Sequence, residues 1–497
     1  MPPDPARHAP QRARGGDALN GRPPSAPGSR PQRGRPGGRG HGRRRGGAPT
    51  QARLLAVRVL ERVDLARAYA DLALHAALAR SDLAPVDRAL ATELVYGTLR
   101  WRGRLDHLLG RVLDRDLEKL EPLVASILRV GAYQIVFSER IPASAAIDQS
   151  VSCARALGAD RASGLVNAVL RRLAHELSAL ALPTLEEDPL GHLIHALSFP
   201  AWLAERFLRR YGPEEAAALE RALNEVPPRT VRANPRRVSR EALLEELRTR
   251  FPNAVACRFA PEGVVLGRRG DPGRDPAFLE GRCTVQDEAS QLVVSLLDPR
   301  PGERVLDTCA APGAKATAIA ERIGEAGRVL ALDRNARRLG LLRRDARRLG
   351  LENVRAAVRD AAEPLGELMA EGPFDRVLVD APCSGIGAVR RNPDARWRVR
   401  PTDVPRLAEA QAAILRRAAE AVRPGGSLVY STCTLLEEEN EAVVAGFLAE
   451  RPEFHPAARE GLPAAVAPLV GDDGFLRCLP HRHDTDGFFA ARLERSS

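Results

Sequence analysis

Four apolar runs in the C-terminal half of this chain each stop at an aspartate, with helical segments set among them. Arg304 to Asp307, Arg328 to Asp333, Val354 to Asp360 and Asp375 to Asp380 read as strands, and Ser427 to Thr432 as a fifth. Ala314 to Ile323, Asn335 to Leu349 and Val404 to Val422 carry the helical period. Repeated strand–helix units restrict the fold to a doubly wound, mostly parallel sheet, and Phe488 to Leu493 is predicted as a last, antiparallel strand. In such sheets the loops at the carboxyl ends of the strands form the ligand crevice. The residues at those ends are therefore the ones to read for chemistry.

The first strand runs into Thr308-Cys309-Ala310-Ala311-Pro312-Gly313-Ala314-Lys315, a turn of small residues that lets backbone approach a ligand closely. Its spacing fits neither a P-loop nor a dinucleotide fingerprint. Asp333, ending the second strand, suits ribose hydroxyls, and Asp360, ending the third, suits an exocyclic amine. One acid at a strand end is usually a cap or a solvated end. Acids at successive ends, beside a turn that cannot grip phosphate, point to S-adenosylmethionine.

The fourth and fifth strands lead into Asp380-Ala381-Pro382-Cys383-Ser384-Gly385 and Tyr430-Ser431-Thr432-Cys433-Thr434. A thiol does nothing for methylation of an amine, but it suits carbon 5 of a pyrimidine. That carbon becomes nucleophilic only after something adds to carbon 6, and a cysteine thiolate can add there and later leave. Cys153, Cys257, Cys283 and Cys478 read as small buried hydrophobes instead. Seven cysteines without a C-x-x-C pair exclude a disulfide framework and a zinc ribbon, so a reducing, cytoplasmic setting is expected. No metal site is expected: His481-Arg482-His483-Asp484 reads as a solvated turn.

A length of 497 residues implies more than one domain. Residues 1–50 form a tail with eleven Arg against Asp4 and Asp17, so +9 of the net charge of +11 lies there. With 21 Gly and Pro and few apolar side chains, it is expected to be a disordered arm able to hold phosphates without reading sequence. A solvated extension of no consequence is an equal reading. Residues 51–181 read as all-helical, and Leu182 to Asp188 as a linker. Residues 189–280 form a small α/β module, with helices over Trp202 to Tyr211 and Arg240 to Arg250, a strand over Thr230 to Ala233 and a loop over Gly267 to Pro276. The sheet domain takes 281–497. No apolar run reaches the ~18–20 residues of a membrane helix.

The segments LDTCAAPGAK, ALDRN, DAPCSG, RRNPDARWR and YSTCT, in that order, resemble the motifs of the Sun/NOL/NOP family of RNA 5-methylcytosine methyltransferases. The resemblance implies a Rossmann-like class I methyltransferase domain and assigns roles. Cys433 would be the nucleophile, Cys383 would assist release of product, and Asp380 would hold the cytosine edge. Cys309, Ala310, Ala311, Pro312, Gly313, Ala314 and Lys315 would line the cofactor pocket with Asp333, Asp360 and Asp380. One departure is Ala314, where the family usually has a second glycine; it is tolerable if Ala314 opens the helix with negative φ. Arg88 to Gly97 and Val166 to Arg171 are similar to the helical, RNA-binding NusB-like fold. Within the family that fusion marks its bacterial ribosomal branch, so the expected substrate is 16S rRNA, alone or in a small-subunit assembly intermediate, and a monomer is expected.

Arg390, Arg391, Arg396, Trp397 and Arg398 follow directly on the Pro-Cys loop. Arg for phosphates and Trp for an unpaired base make this segment a candidate RNA contact, against a surface loop with a half-buried Trp. Two other functions stay open: a tRNA substrate for the same chemistry, or a non-catalytic RNA-binding factor. The presence of both thiols and of every strand-end acid argues against the second.

Overall fold

The computed structural model describes residues 48–268 and 270–497, so the predicted basic tail lies outside the described residues but for its last three. The N-terminal region is a helical bundle: α1 (Gln51–Ala66), α2 (Ala70–Ala79), α3 (Pro85–Arg100), α4 (Arg102–Val112), α5 (Pro122–Phe137), α6 (Ala143–Ala156) and α7 (Ser163–Glu176). Leu94, Leu105, Leu109, Leu128 and Leu170, from the apolar faces of four of these helices, meet in its core. Gly97 lets α3 lie against α5, since a Cβ there would come within 2.2 Å of the Tyr133 ring.

The predicted helix at Trp202 extends over Ala201–Asn224 and bends at Gly212, φ 75°, just before Pro213. Proline cannot continue the hydrogen-bond ladder and forces its predecessor out of helical geometry. This helix packs with Leu203, Phe207, Leu219 and Leu223 against Ile386, Val389 and Leu435, which lie in the loops after the fourth and fifth sheet strands. It braces the segments that carry the two thiols.

The small module is an antiparallel sheet of β1 (Arg229–Ala233), β2 (Val255–Ala256), β3 (Gly263–Gly267) and β4 (Cys283–Val285) in the order β2-β3-β1-β4. Its edge strand β4 lies beyond the boundary expected at residue 280. Three residues show too little alternation to announce a strand. Arg232 on β1 carries the module onto the large domain. Its side chain, 2% exposed, pairs with Glu321, 1% exposed, at 3.0 Å, and also donates to the Ala314 carbonyl at 2.8 Å.

The large sheet comprises β5 (Arg304–Asp307), β6 (Arg328–Asp333), β7 (Val354–Val358), β8 (Phe374–Asp380), β9 (Val422–Thr432), β10 (Phe454–Pro456), β11 (Phe475–Cys478) and β12 (Phe488–Arg495). The order is β10-β12-β9-β8-β5-β6-β7, with β11 also on β12. β5 to β9 pair in parallel, and β12 runs antiparallel to β9 as predicted. β9 starts five residues earlier than expected, because Pro424-Gly425-Gly426 reads as a turn in sequence. β7 stops at Val358, two residues short of Asp360. The strand order reverses between β5 and β8, where such sheets bind ligands. Among the described residues no helix is long and apolar enough to cross a membrane.

Candidate active site

β8 and β9 are adjacent and parallel, with Asp380 opposite Ser431. The chain leaves both strands on the same side of the sheet, and the two thiols meet: Cys383 Sγ lies 3.4 Å from Cys433 Sγ. Burial of the other four expected structural cysteines, Cys153, Cys257, Cys283 and Cys478, separates them from this pair. The hydrogen bond to Cys433, followed by burial, pushes the Cys383 thiol well above the ordinary range, so it keeps its proton.

Lys315 reaches the same place from the first turn of the helix Ala314–Ile323. Its Nζ donates to Asp380 Oδ2 at 2.8 Å, while Ser431 Oγ donates to Asp380 Oδ1 at 2.9 Å. Burial alone would lower the lysine, but Asp380 first, and then Cys433 and Asp307, hold it above its ordinary value. A positive charge is thus fixed beside a carboxylate and a thiol.

Ala314 opens that helix, with Gly313 before it at φ 121°. The single methyl at 314 therefore sits in ordinary helical geometry. Gly313 is the position that cannot take a side chain, since a Cβ would also press to 2.9 Å from Leu342. The rest of the turn is tied down from the second strand. Asp333 Oδ2 accepts from the Ala311 N–H at 3.2 Å, and the Ala310 N–H donates to the Leu332 carbonyl at 2.7 Å. Asp307 is fully buried beneath the turn, with one oxygen taking the Cys309 N–H at 3.3 Å and Oδ2 lacking a protein partner. Burial, reinforced by Asp380, raises its carboxyl to about 8. Cys309 is likewise held up by burial and then by Asp307, and stays a thiol.

A cleft of ≈ 990 Å³ is lined by Cys383, Cys433, Asp360 and Arg334 from the large domain, while Lys315, Asp333 and Asp380 are not in its lining. Arg67, Tyr69 and Asp71 of the helical domain line the same cleft. No sequence signal marked them, since they lie more than three hundred residues from the thiols. A second group that no sequence motif singled out is Glu439, the last of the acidic run Glu437 to Glu439. Its carboxylate is completely buried and accepts from the Ser384 N–H at 2.8 Å and from Gln411 Nε2 at 2.9 Å. Gln411 also donates to the Pro382 carbonyl at 3.0 Å, so the Pro-Cys loop is clamped from behind.

For Arg390 and Arg396 the structure corrects the expected RNA contact. Arg390 is 2% exposed and bonds Asp486 Oδ1 at 2.6 Å. Arg391 joins Asp486 and Asp287 at 2.5 and 2.6 Å. Arg396 is 0% exposed, donating to Asn224 Oδ1 at 2.7 Å with its guanidinium 4.0 Å over Phe199. The Trp397 indole N–H donates to the Leu99 carbonyl at 2.6 Å, tying the segment to the helical domain. A buried guanidinium must find acceptors, and these acceptors come from protein. Arg390 and Arg396 are thus closed to RNA; of the five residues, Arg398 is the one that lines the cleft. His481 and His483 also have structural duties, the first bonding Glu215 and the second accepting the Leu479 N–H. Among the described residues no cluster of three or more His, Cys, Asp or Glu is arranged for a metal ion.

Comparison with known proteins gives matches in all three regions. Residues 294–494 match the model of the 16S rRNA methyltransferase RsmB/F family, residues 50–175 that of the NusB family, and residues 199–271 that of the RsmF/B-like ferredoxin-like domain. The chain is 38% identical over 451 residues to the probable ribosomal RNA small subunit methyltransferase B of Bacillus subtilis, covering 90% of this chain and 99% of that protein. It is 38% identical over 444 residues to the ribosomal RNA small subunit methyltransferase B of Pseudomonas putida, covering 89% and 98%. Among solved structures it is similar to that of PH0851, with a TM-score of 0.74 at 28% identity, covering 90% of this chain and 99% of that one.

Proposed function

From the premise that this chain belongs to the 16S rRNA methyltransferase RsmB/F family, we propose that it methylates carbon 5 of a cytosine in 16S rRNA through a covalent cysteine–cytosine intermediate. The observation that carries the reading is the contact of two inequivalent thiols at the ends of adjacent strands, 3.4 Å apart.

Cys383 keeps its proton, so the attacking sulfur is assigned to Cys433, which shares its surroundings with the Lys315 ammonium. Cys433 adds to carbon 6 and forms a sulfur–carbon bond, and the displaced electron pair makes carbon 5 nucleophilic. S-adenosylmethionine, when bound, supplies the electrophilic methyl. Its expected pocket has polar groups for a nucleoside: Asp333 ends the second strand, Asp360 follows the third, and the orphan Oδ2 of buried Asp307 lies beneath the turn. After transfer, solvent takes the carbon 5 proton, the sulfur–carbon 6 bond breaks with its electron pair returning to Cys433, and the ring is restored; a proton given to that sulfur assists its departure. Cys383, touching the leaving sulfur, is placed to move a proton in that elimination. Asp380, held by Lys315 and Ser431 at 2.8 and 2.9 Å, keeps lone pairs for the cytosine edge.

The test is bisulfite sequencing of total RNA from cells with and without the gene, with purified Cys433→Ala assayed on a 16S rRNA transcript. One cytosine should lose its protection when the gene is absent. The variant should make no 5-methylcytosine while binding S-adenosylhomocysteine nearly as wild type does. Full activity in that variant would rule out the mechanism.

A further inference from the structure

The connection between α1 and α2 brings the helical domain into the catalytic cleft. α1 ends where Arg67 adopts left-handed geometry, φ 48° and ψ 34°, a conformation that disfavours any residue with a Cβ. The Arg67 side chain crosses to the large domain, and Nη2 donates to the Arg398 carbonyl at 2.6 Å. Two residues on, Tyr69 places its ring 4.0 Å beneath the Arg398 guanidinium. Arg398 is itself steadied by Asp394, Nε to Oδ2 3.5 Å.

A ring used only for packing should be covered, as Tyr133 is at 8% exposure in the helical core. Tyr69 stays 53% exposed, although cation contact and neighbouring bonds hold it in place. Its exposed part faces the cleft that contains Cys383, Cys433 and Asp360. Arg67, Arg334 and Arg406 line that cleft too, a set of cations for phosphates in the same cleft as the aromatic surface. Its ≈ 990 Å³ lies at the top of the range of about 300–1,000 Å³ typical of single-ligand sites, leaving room for more than the reacting base.

We propose that Tyr69, backed by Arg398, is the stacking platform for a base next to the target nucleotide, so that the helical domain supplies part of the substrate site. The proposal rests on the reading of the reaction as RNA methylation. Single-stranded RNA is held by bases splayed onto aromatic rings and guanidinium planes, and Tyr69 with Arg398 presents both in one unit. A cytosine drawn out of its stack loses its neighbours, and a flat ring at the cleft mouth replaces one of them.

The experiment uses the full chain, a full-length 16S rRNA transcript, and short single-stranded RNAs carrying 2-aminopurine beside their one cytidine. Wild type and Tyr69→Phe should quench 2-aminopurine on one side of the cytidine, and Tyr69→Ala and Tyr69→Leu should not. Tyr69→Ala should raise the KM for the transcript about tenfold, within the range of base–aromatic stacking, while the KM for cofactor and the melting temperature stay as in wild type. Should Tyr69→Ala fold poorly, Tyr69→Leu keeps apolar bulk at the turn and reads the same loss. Quenching in Tyr69→Leu equal to wild type, or a transcript KM within twofold of wild type, overturns the platform. Measuring 5-methylcytosine in the wild-type product separates the two readings. If it forms and the Tyr69 variants behave as wild type, the platform alone falls; if it does not form, the reaction falls and the platform with it.

Discussion

Asp380 and Ser431 face each other across the parallel strands β8 and β9, and Ser431 Oγ donates to the Asp380 carboxylate at 2.9 Å. Cys383 lies three residues beyond the first and Cys433 two beyond the second. A one-residue slip in that register would turn alternate side chains to the opposite face of the sheet. Strand register, locked by Asp380, Ser431 and Lys315, therefore sets the contact between the thiols.

That contact predicts an asymmetry between the two cysteines. Cys383→Ala should accumulate a protein–RNA adduct that survives denaturing gels, because addition through Cys433 remains and release is slowed. The adduct should vanish when Cys433→Ala is added. An adduct that requires Cys383 and forms without Cys433 would reverse the roles.

Arg396 tests the correction of the Arg/Trp segment. Its guanidinium is buried among Asn224, Ser198 and Leu223 acceptors, so Arg396→Met should leave them unsatisfied and cost about 3 kcal/mol or more in urea unfolding. The slope of RNA affinity against salt should not change. A slope lower by about one ion would mean that this residue meets phosphate after all.

Arg232 joins the small module to the cofactor-side helix through Glu321 and the Ala314 carbonyl. Removing one partner of a buried pair usually costs about 3–5 kcal/mol. Arg232→Met should show a loss of that size and should weaken S-adenosylhomocysteine binding in calorimetry, since the first turn of that helix carries Lys315. An unchanged unfolding midpoint would reduce this link to simple packing.

Asp307 gives a dependence on pH. Its carboxyl lies at about 8 in the folded chain and at about 3.9 when unfolded. Between those values the folded state holds a proton that the unfolded state has lost, so this group's contribution to stability is full at low pH and declines up to about pH 8. Asp307→Asn should lose that decline, and its melting temperature between pH 5 and 8.5 should fall less steeply than that of wild type. Parallel curves would show Asp307 to be ionised in the fold.

Much of the large domain was legible because each of its buried strands is an apolar run that ends in a chemically distinctive loop. β5 and β6 and the helix Ala314–Ile323 have the bounds expected from sequence. The errors fall where local pattern is weak. β4, β10 and β11 have three or four residues each, too few for a period, and the start of β9 is disguised by Pro424-Gly425-Gly426. Glu439 is buried beside an exposed Glu437 and a half-buried Glu438, and no spacing rule distinguishes the one acid that turns inward.

The sequence by itself determined the alternating sheet, the acids and thiols at its strand ends, and the helical character of the first domain, because these follow from residue type and local period. Only the tertiary structure decided which cations are free. The four arginines between Arg390 and Arg398 separate into two buried groups, Arg390 and Arg396, a half-buried Arg391 held by Asp486 and Asp287, and the cleft-lining Arg398. Tyr69, with no motif around it, lies against that arginine across more than three hundred residues. Charge and aromatic character are properties of single residues, whereas desolvation and contact depend on every element that packs around them, and local sequence does not encode that packing.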